Sequence, residues 1–418
     1  MQWINRIITA LAITTSFVST ARAHVNNAPS VKIVLRNFNA VSLVDDPISH
    51  VLVAGGNFTT SLNTNADLSE GIALLDDRTD RVIGTLNLVS LGGNSRPTWI
   101  FAFDRARHRV YAALNSDSLG LDSTTLYGID LRNGKVVTRL RTGSGEISSV
   151  GVDPKSGTVA LTVFSAPNNT LAIVSAYNHI IKVQPIVVGS DVVCVDPRSG
   201  WVVIRSYDAT TISAFNGKSL RVQWSQQLQY LPFNGNIQCD PVSGQVEWLA
   251  PRDGGVATGI VALSIAKGTF TTRTPFAYTP SLSTSAPLQY HLLLDPKFGT
   301  AIAYGDLDMV FIKEKGQLSL NWVYHGESSA GWIDTTAHRA YLVDSPTHSA
   351  FGSTGTPTWY IDVLDTRTGL VLNRYANPLG SNSTGFSFID ARGGYVPAAE
   401  TNQNTGAQAP LLELFAFR

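Results

Sequence analysis

Asp196-Pro197-Arg198-Ser199-Gly200 stands between two short apolar runs, Val192 to Val195 and Trp201 to Ile204, and its chemistry is that of a tight turn between paired strands. The Asp carboxylate accepts backbone N–H groups a few residues on, Pro pre-sets φ, and Gly takes a φ above zero. The same five-residue frame begins at Asp46, Asp104, Asp153, Asp196, Asp240, Asp295, Asp334 and Asp390. It closes on His50, His108, Gly157, Gly200, Gly244, Gly299, His338 and Gly394. Backbone physics accounts for the motif, so its recurrence speaks of architecture rather than chemistry.

Successive turns start 39 to 58 residues apart. A repeat of roughly 40 to 50 residues in an all-β pattern predicts four-stranded blades around an axis, a single eight-bladed β-propeller. Each unit reads as strand A before the Asp turn, strand B after it, a connection, strand C, a second turn and strand D. The blades fall near residues 40–86, 97–142, 145–188, 190–228, 233–276, 288–325, 327–379 and 384–418. The last unit supplies A (Phe386 to Ile389), B (Gly394 to Ala398) and C (Leu411 to Phe417), then ends. The missing D strand is predicted to be the unpartnered run Val31 to Asn37, which would pair with the C-terminal strands and remove an open edge.

The segments Phe103 to Ala113 with Ile129 to Val137, and Asp334 to Val343 with Val363 to Leu370, carry an Asp-turn, a Tyr-containing apolar strand and a second strand ending in a Thr-Gly or Asn-Gly turn. On these residues the chain resembles the YVTN-type β-propeller repeat proteins, whose members are often seven-bladed. The resemblance implies a fold and leaves the chemistry to the particular site.

Of the 418 residues, 44% are hydrophobic and 15% charged, with 35 Gly and 19 Pro, a composition for a strand-and-turn protein with a large core. Lys plus Arg equals Asp plus Glu at 31 each, so bulk charge attracts neither nucleic acid nor an anionic membrane. At the N-terminus, Arg6, the apolar run Ile7 to Val18 and Ala21-Arg22-Ala23 read as a signal peptide over residues 1–23, leaving a propeller domain over 24–418. No run is long enough for a membrane-spanning helix. The expectation is a secreted or periplasmic protein. Its two cysteines, Cys194 and Cys239, sit on the A strands of neighbouring units, two residues and one residue before the Asp, so alternation points them to opposite strand faces. An oxidising compartment favours a disulfide and the opposed faces favour two free thiols, and the sequence leaves both open.

Function is expected where long connections rise from a rigid scaffold. The B–C connections Gly55 to Gly71, Asn115 to Thr125, Asp344 to Thr358 and Pro397 to Pro410 belong to units one, two, seven and eight, which adjoin in a closed ring. Their rim is the expected binding surface for a protein, glycan or small molecule. Candidate ligand-binding residues near the start of the A strands and in these loops are Arg96, Trp99, Asp191, Tyr290 and His348. Glu146 and Glu327 occupy equivalent positions in units three and seven, and with His325 they are the candidates for acid/base work. The resemblance to propeller proteins implies the alternative function, a hydrolase or lyase acting on a lactone or carbohydrate. Asp67, Glu70, Asp117 and Asp122 are oxygen ligands suited to Ca²⁺, although Asn115-x-Asp117-x-Leu119-Gly120 has Leu where a calcium loop needs an oxygen donor. No other cofactor is expected, since c-type haem, Walker and nucleophile-elbow motifs are absent.

Overall fold

The computed structural model describes residues 25–26, 30–46, 48–58, 69–87, 98–115, 125–142, 145–165, 168–175, 180–186, 190–206, 210–228, 237–252, 257–273, 277–278, 290–305, 308–314, 317–324, 327–345, 360–376, 388–401 and 408–417. Residues 1–24, with the expected signal peptide and its cleavage site, lie outside them.

The turns adopt the geometry their residues dictate. Gly157, Gly200, Gly244 and Gly299 have φ between +66° and +69°, and His50, His108 and His338 fill the same slot at +56°, +49° and +56°. His is among the few non-glycine residues enriched in this left-handed region. The Asp240 carboxylate accepts the N–H groups of Val242 and Ser243 at 2.8 and 3.0 Å, while the Gly244 N–H donates to the Asp240 carbonyl at 2.9 Å. At the eighth turn the expectation of Gly394 is corrected to Gly393. There the Asp390 N–H donates to the Gly393 carbonyl at 3.0 Å, and Gly393 has φ +158°. A Cβ on Gly393 would lie 2.0 Å from the Phe415 carbonyl oxygen, so only glycine fits between this turn and the strand beside it.

Among the described residues the strands form eight sheets, antiparallel but for one added strand, six of four strands and two of five, and the architecture is an all-β propeller. The first sheet runs Phe38–Asp46, Val51–Phe58, Ser69–Asp76, Arg81–Asn87, and the others follow the same up-and-down order along the chain. First strands of the second to eighth sheets are Thr98–Asp104, Glu146–Val152, Asp191–Val195, Ile237–Asp240, Tyr290–Asp295, Glu327–Asp334 and Phe388–Ile389. Each contacts the first strand of the next sheet, and the strands Gly393–Thr401 and Gln408–Ala416 of the eighth sheet contact Phe38–Asp46 of the first. Ser30–Arg36 pairs antiparallel with Gln408–Ala416, matching Val31 to Phe415 and Arg36 to Leu411. One pairing was not expected: Val25–Asn26 adds in parallel to the outer strand Val371–Ala376 of the seventh sheet.

Apolar faces of neighbouring sheets pack on each other. Val51, Val53, Ile72 and Leu74 of the first sheet meet Trp99, Val110, Ala112 and Tyr127 of the second in one core cluster. Val34, Leu35, Leu412, Leu414 and Tyr395 of the eighth meet Phe38, Leu43, Leu52 and Leu75 of the first in another. Burial at this scale contributes roughly 1.5–3 kcal/mol per large side chain. Side chains also tie turn to turn: Arg105 Nε donates to Asp46 Oδ1 at 2.8 Å, Arg107 Nη2 to the Ser156 carbonyl at 2.7 Å, and His338 Nδ1 to Asp295 Oδ2 at 2.8 Å.

Cys194 and Cys239 are joined in a disulfide with Cα atoms 6.2 Å apart. Opposed strand faces do not keep them apart, because the front of one sheet packs on the back of the next, and residues on opposite faces of adjacent first strands therefore confront each other. Three of the four long connections fall at 59–68, 116–124 and 346–359, outside the described residues. The fourth is shorter than expected, since Gly393–Thr401 and Gln408–Ala416 continue as a paired hairpin through most of Pro397 to Pro410.

The disulfide closes a loop with a sequence separation of 45 residues. Loop-closure entropy for that length predicts that Cys194→Ser loses about 4 kcal/mol, measured by urea unfolding of the purified chain. Adding a reductant to the parent should reproduce the loss, and adding it to the variant should change nothing further.

Candidate functional site

First strands begin at one end of the sheets and finish in the Asp turns at the other, so the two ends present different chemistry. At the starting end, Glu146 opens the third sheet's first strand opposite Phe164, Asp191 opens the fourth's opposite Arg205, Tyr290 opens the sixth's, and Glu327 opens the seventh's opposite Ser345. These residues thus share a level, as the repeat requires. Glu146 and Glu327 belong to sheets four apart in the order, and nothing described brings them together. Arg96, His325 and His348 lie outside the described residues.

Trp99 is corrected from a ligand-binding to a core position. It is 4% exposed, packs in the cluster between the first and second sheets, and its ring occupies the space that a Cβ on Gly55 would need. Asp67, Asp117 and Asp122 also lie outside the described residues. Glu70 is 5% exposed, opposite the equally buried Asn57, and burial raises its pKa above the ordinary value. Among the described residues no three His, Cys, Asp or Glu side chains come together in a way that could hold a metal ion.

Asp191 is set in a polar network. Its Oδ2 is 4.0 Å from Arg205 Nη2, and burial raises its pKa against the opposing pull of Arg205 and Ser148. Ser148 shares a hydrogen bond of 2.8 Å with Thr162 Oγ1, which also meets the Ser149 hydroxyl. The Val192 N–H donates to Ser149 Oγ at 2.7 Å, linking the third sheet to the fourth. Both first strands bulge here, with register shifts at Ile147/Ser149 and Val192/Cys194. A bulge turns two successive side chains toward one neighbour, so Ser148 and Ser149 both reach Thr162.

Toward the turn end, first strands of the second to fifth sheets line an open cavity of about 380 Å³. Phe101, Phe103, Val152, Pro154, Val195 and Pro197 form much of its wall, with Ile265, the Cys194–Cys239 disulfide, Arg105 and Asp196. The volume suits a drug-sized or smaller ligand, or an apolar side chain. Trp99, Phe101 and Phe103 alternate along one strand, and Trp99 stacks on Phe101 with ring centroids 6.2 Å apart. That alternation was the sequence signal for an aromatic wall, and it points to the turn end rather than to the expected loop rim. A second, more polar cavity of about 200 Å³ lies between the third and fourth sheets, lined by Asp153, Ser156, Thr158, Asn216 and Lys218.

No family model and no curated protein matches the chain. Solved structures show the fold. One, described as the Dos1 propeller, is 9% identical with a TM-score of 0.56, covering 94% of this chain and 95% of that one. A chain from a crystal structure of the Mitotic Checkpoint Complex is 8% identical with a TM-score of 0.50, covering 78% of this chain and 90% of that one. At such identities the likeness defines a β-propeller and nothing finer. Among the described residues no helix is long and apolar enough to cross a membrane.

Arg205 is the cation nearest Asp191, so Arg205→Ala should move the Asp191 titration to still higher pH. Carboxyl carbon NMR of the labelled chain reads this directly, and an unmoved or lowered midpoint would show that Arg205 does not act on Asp191.

Proposed function

We propose that the chain is an exported, non-catalytic β-propeller scaffold, its eight sheets forming the blades of one closed ring with a binding cavity at the turn end. The observation that carries this reading is the 380 Å³ cavity, whose largely apolar wall is assembled from four successive sheets. An apolar wall with few polar groups binds by removing a ligand's apolar surface from water. A protein partner inserting an apolar side chain, or a small apolar molecule, matches that wall better than a polar glycan does. The fold-level likeness to a chain of a multiprotein assembly favours a protein partner. Connections 59–68, 116–124 and 346–359 leave the opposite end of sheets that adjoin in the proposed ring, and we assign them to recognition of a larger surface, protein or glycan.

Export rests on two independent features. Residues 6–23 carry the charged, apolar and small-residue segments of a signal peptide, and Cys194 and Cys239 are bonded, as is usual in the periplasm or outside the cell. A resident Ca²⁺ at Glu70 lacks comparable support.

The probe for the cavity is 8-anilinonaphthalene-1-sulfonate, an apolar ring system whose fluorescence rises on leaving water. It should bind the parent chain at about one molecule per chain. Val152→Trp fills the cavity from its wall, so binding should weaken by at least about tenfold while the far-UV dichroism stays unchanged. Equal binding by a folded Val152→Trp variant would remove the cavity as the site.

A further inference from the structure

We infer that the seam between the first and last sheets is a pH-sensitive latch, closed while Asp45 carries a proton and loosened when it ionises. Asp45 is the penultimate residue of the first sheet's first strand, and its Oδ1 is buried with no hydrogen-bond partner among the described residues. The charges of three carboxylates act on it: Asp77 in the second turn of its own sheet, Asp390 in the turn of the eighth, and, more weakly, Asp334 in the turn of the seventh. The charged group of opposite sign acting on it is Arg392, and the Tyr395 phenol also lies within its field.

The cations at the seam are engaged elsewhere. Arg392 donates from Nη1 to Asp80 Oδ1 at 2.5 Å, from Nη2 to Asp390 Oδ2 at 2.9 Å, and to the Tyr395 hydroxyl. Lys32, on the strand that pairs with the C-terminal segment, donates to Asp80 Oδ2 at 2.7 Å. His50 Nδ1 lies 3.4 Å from Asp77 Oδ1. Asp80 is thus held low by Lys32 and Arg392 despite its burial, whereas Asp45 has the repulsion without a bonded cation.

Burial, then the charges of Asp77 and Asp390, push Asp45 up from 3.8 to about 8. Burial raises Asp77 in the same direction. The sign follows: a carboxyl that holds its proton more tightly in the closed state than in the open one favours closure fully below its ordinary value. That contribution is lost as pH rises toward 8. Once ionised, Asp45 adds a negative charge beside Asp77 and Asp390, and separating the two sheets returns it to water.

Hydrogen–deuterium exchange of the full chain, followed at 30–36 and 408–416 from pH 5 to 9, tests the latch. Protection factors, corrected for intrinsic exchange, should fall about tenfold per pH unit between pH 5 and 8 in the parent. In Asp45→Asn they should stay high and flat. A parent with flat protection, or a variant falling in parallel with it, overturns the proposal. If Asp45→Asn does not fold, carboxyl carbon titration of Asp45 in the parent decides: a midpoint near 8 supports the latch, and one below 5 ends it.

Discussion

The antiparallel pairing of Ser30–Arg36 with Gln408–Ala416 is the interaction on which the rest of the structure depends. It joins segments nearly the whole chain apart, so its loop-closure cost is among the largest in the fold. Val34 and Leu35 offset that cost by burying against Leu412, Leu414 and the first sheet. Without Ser30–Arg36, the strand Gln408–Ala416 would present an unpaired edge, and Lys32 would be lost from Asp80. The seam therefore combines an apolar layer with an electrostatic one, and the two respond differently to solution conditions.

Around the rest of the propeller the same job is done locally. Asp46, Asp104, Asp153, Asp196, Asp240, Asp295 and Asp390 are all buried, a costly place for a carboxylate unless it is hydrogen-bonded. Turn amides supply some of those bonds, and neighbouring turns supply others, as when His338 and Thr366 both donate to Asp295 Oδ2. One residue type thus shapes its own turn and fastens it to the next sheet. The His in the glycine slot is part of this: the left-handed backbone at His338 places its imidazole on the Asp of the preceding sheet, which glycine in the same slot would not do.

The turn frame was legible because it is local: five residues determine their own backbone, and apolar alternation on either side fixes the strands. The terminal strand could be matched with the C-terminal segment for a related reason, since an unpartnered apolar run and a three-stranded unit leave few choices. What escaped depended on distances between sheets. The parity of Cys194 and Cys239 was read correctly but on a single strand, where opposite faces mean separation; between stacked sheets they mean contact. Trp99 has the composition of a rim residue, and only the glycine at position 55 of the neighbouring sheet reveals that its ring is accommodated in the core. The cavity wall joins Phe101 and Phe103 of one repeat to Val152 and Val195 of two others, so no single stretch of sequence contains all of it.

The scaffold, the cavity and the latch all require the chain's two ends to meet in one sheet. Replacing Val31 and Phe415, partners in the observed register, with cysteines tests that most directly. Under mild oxidation of monomeric protein the account predicts a cross-link between residues 31 and 415, recovered as a single disulfide-linked peptide pair after digestion, with Cys194–Cys239 still intact. Failure of the folded variant to form that link, or capture of position 31 by another strand, would contradict it.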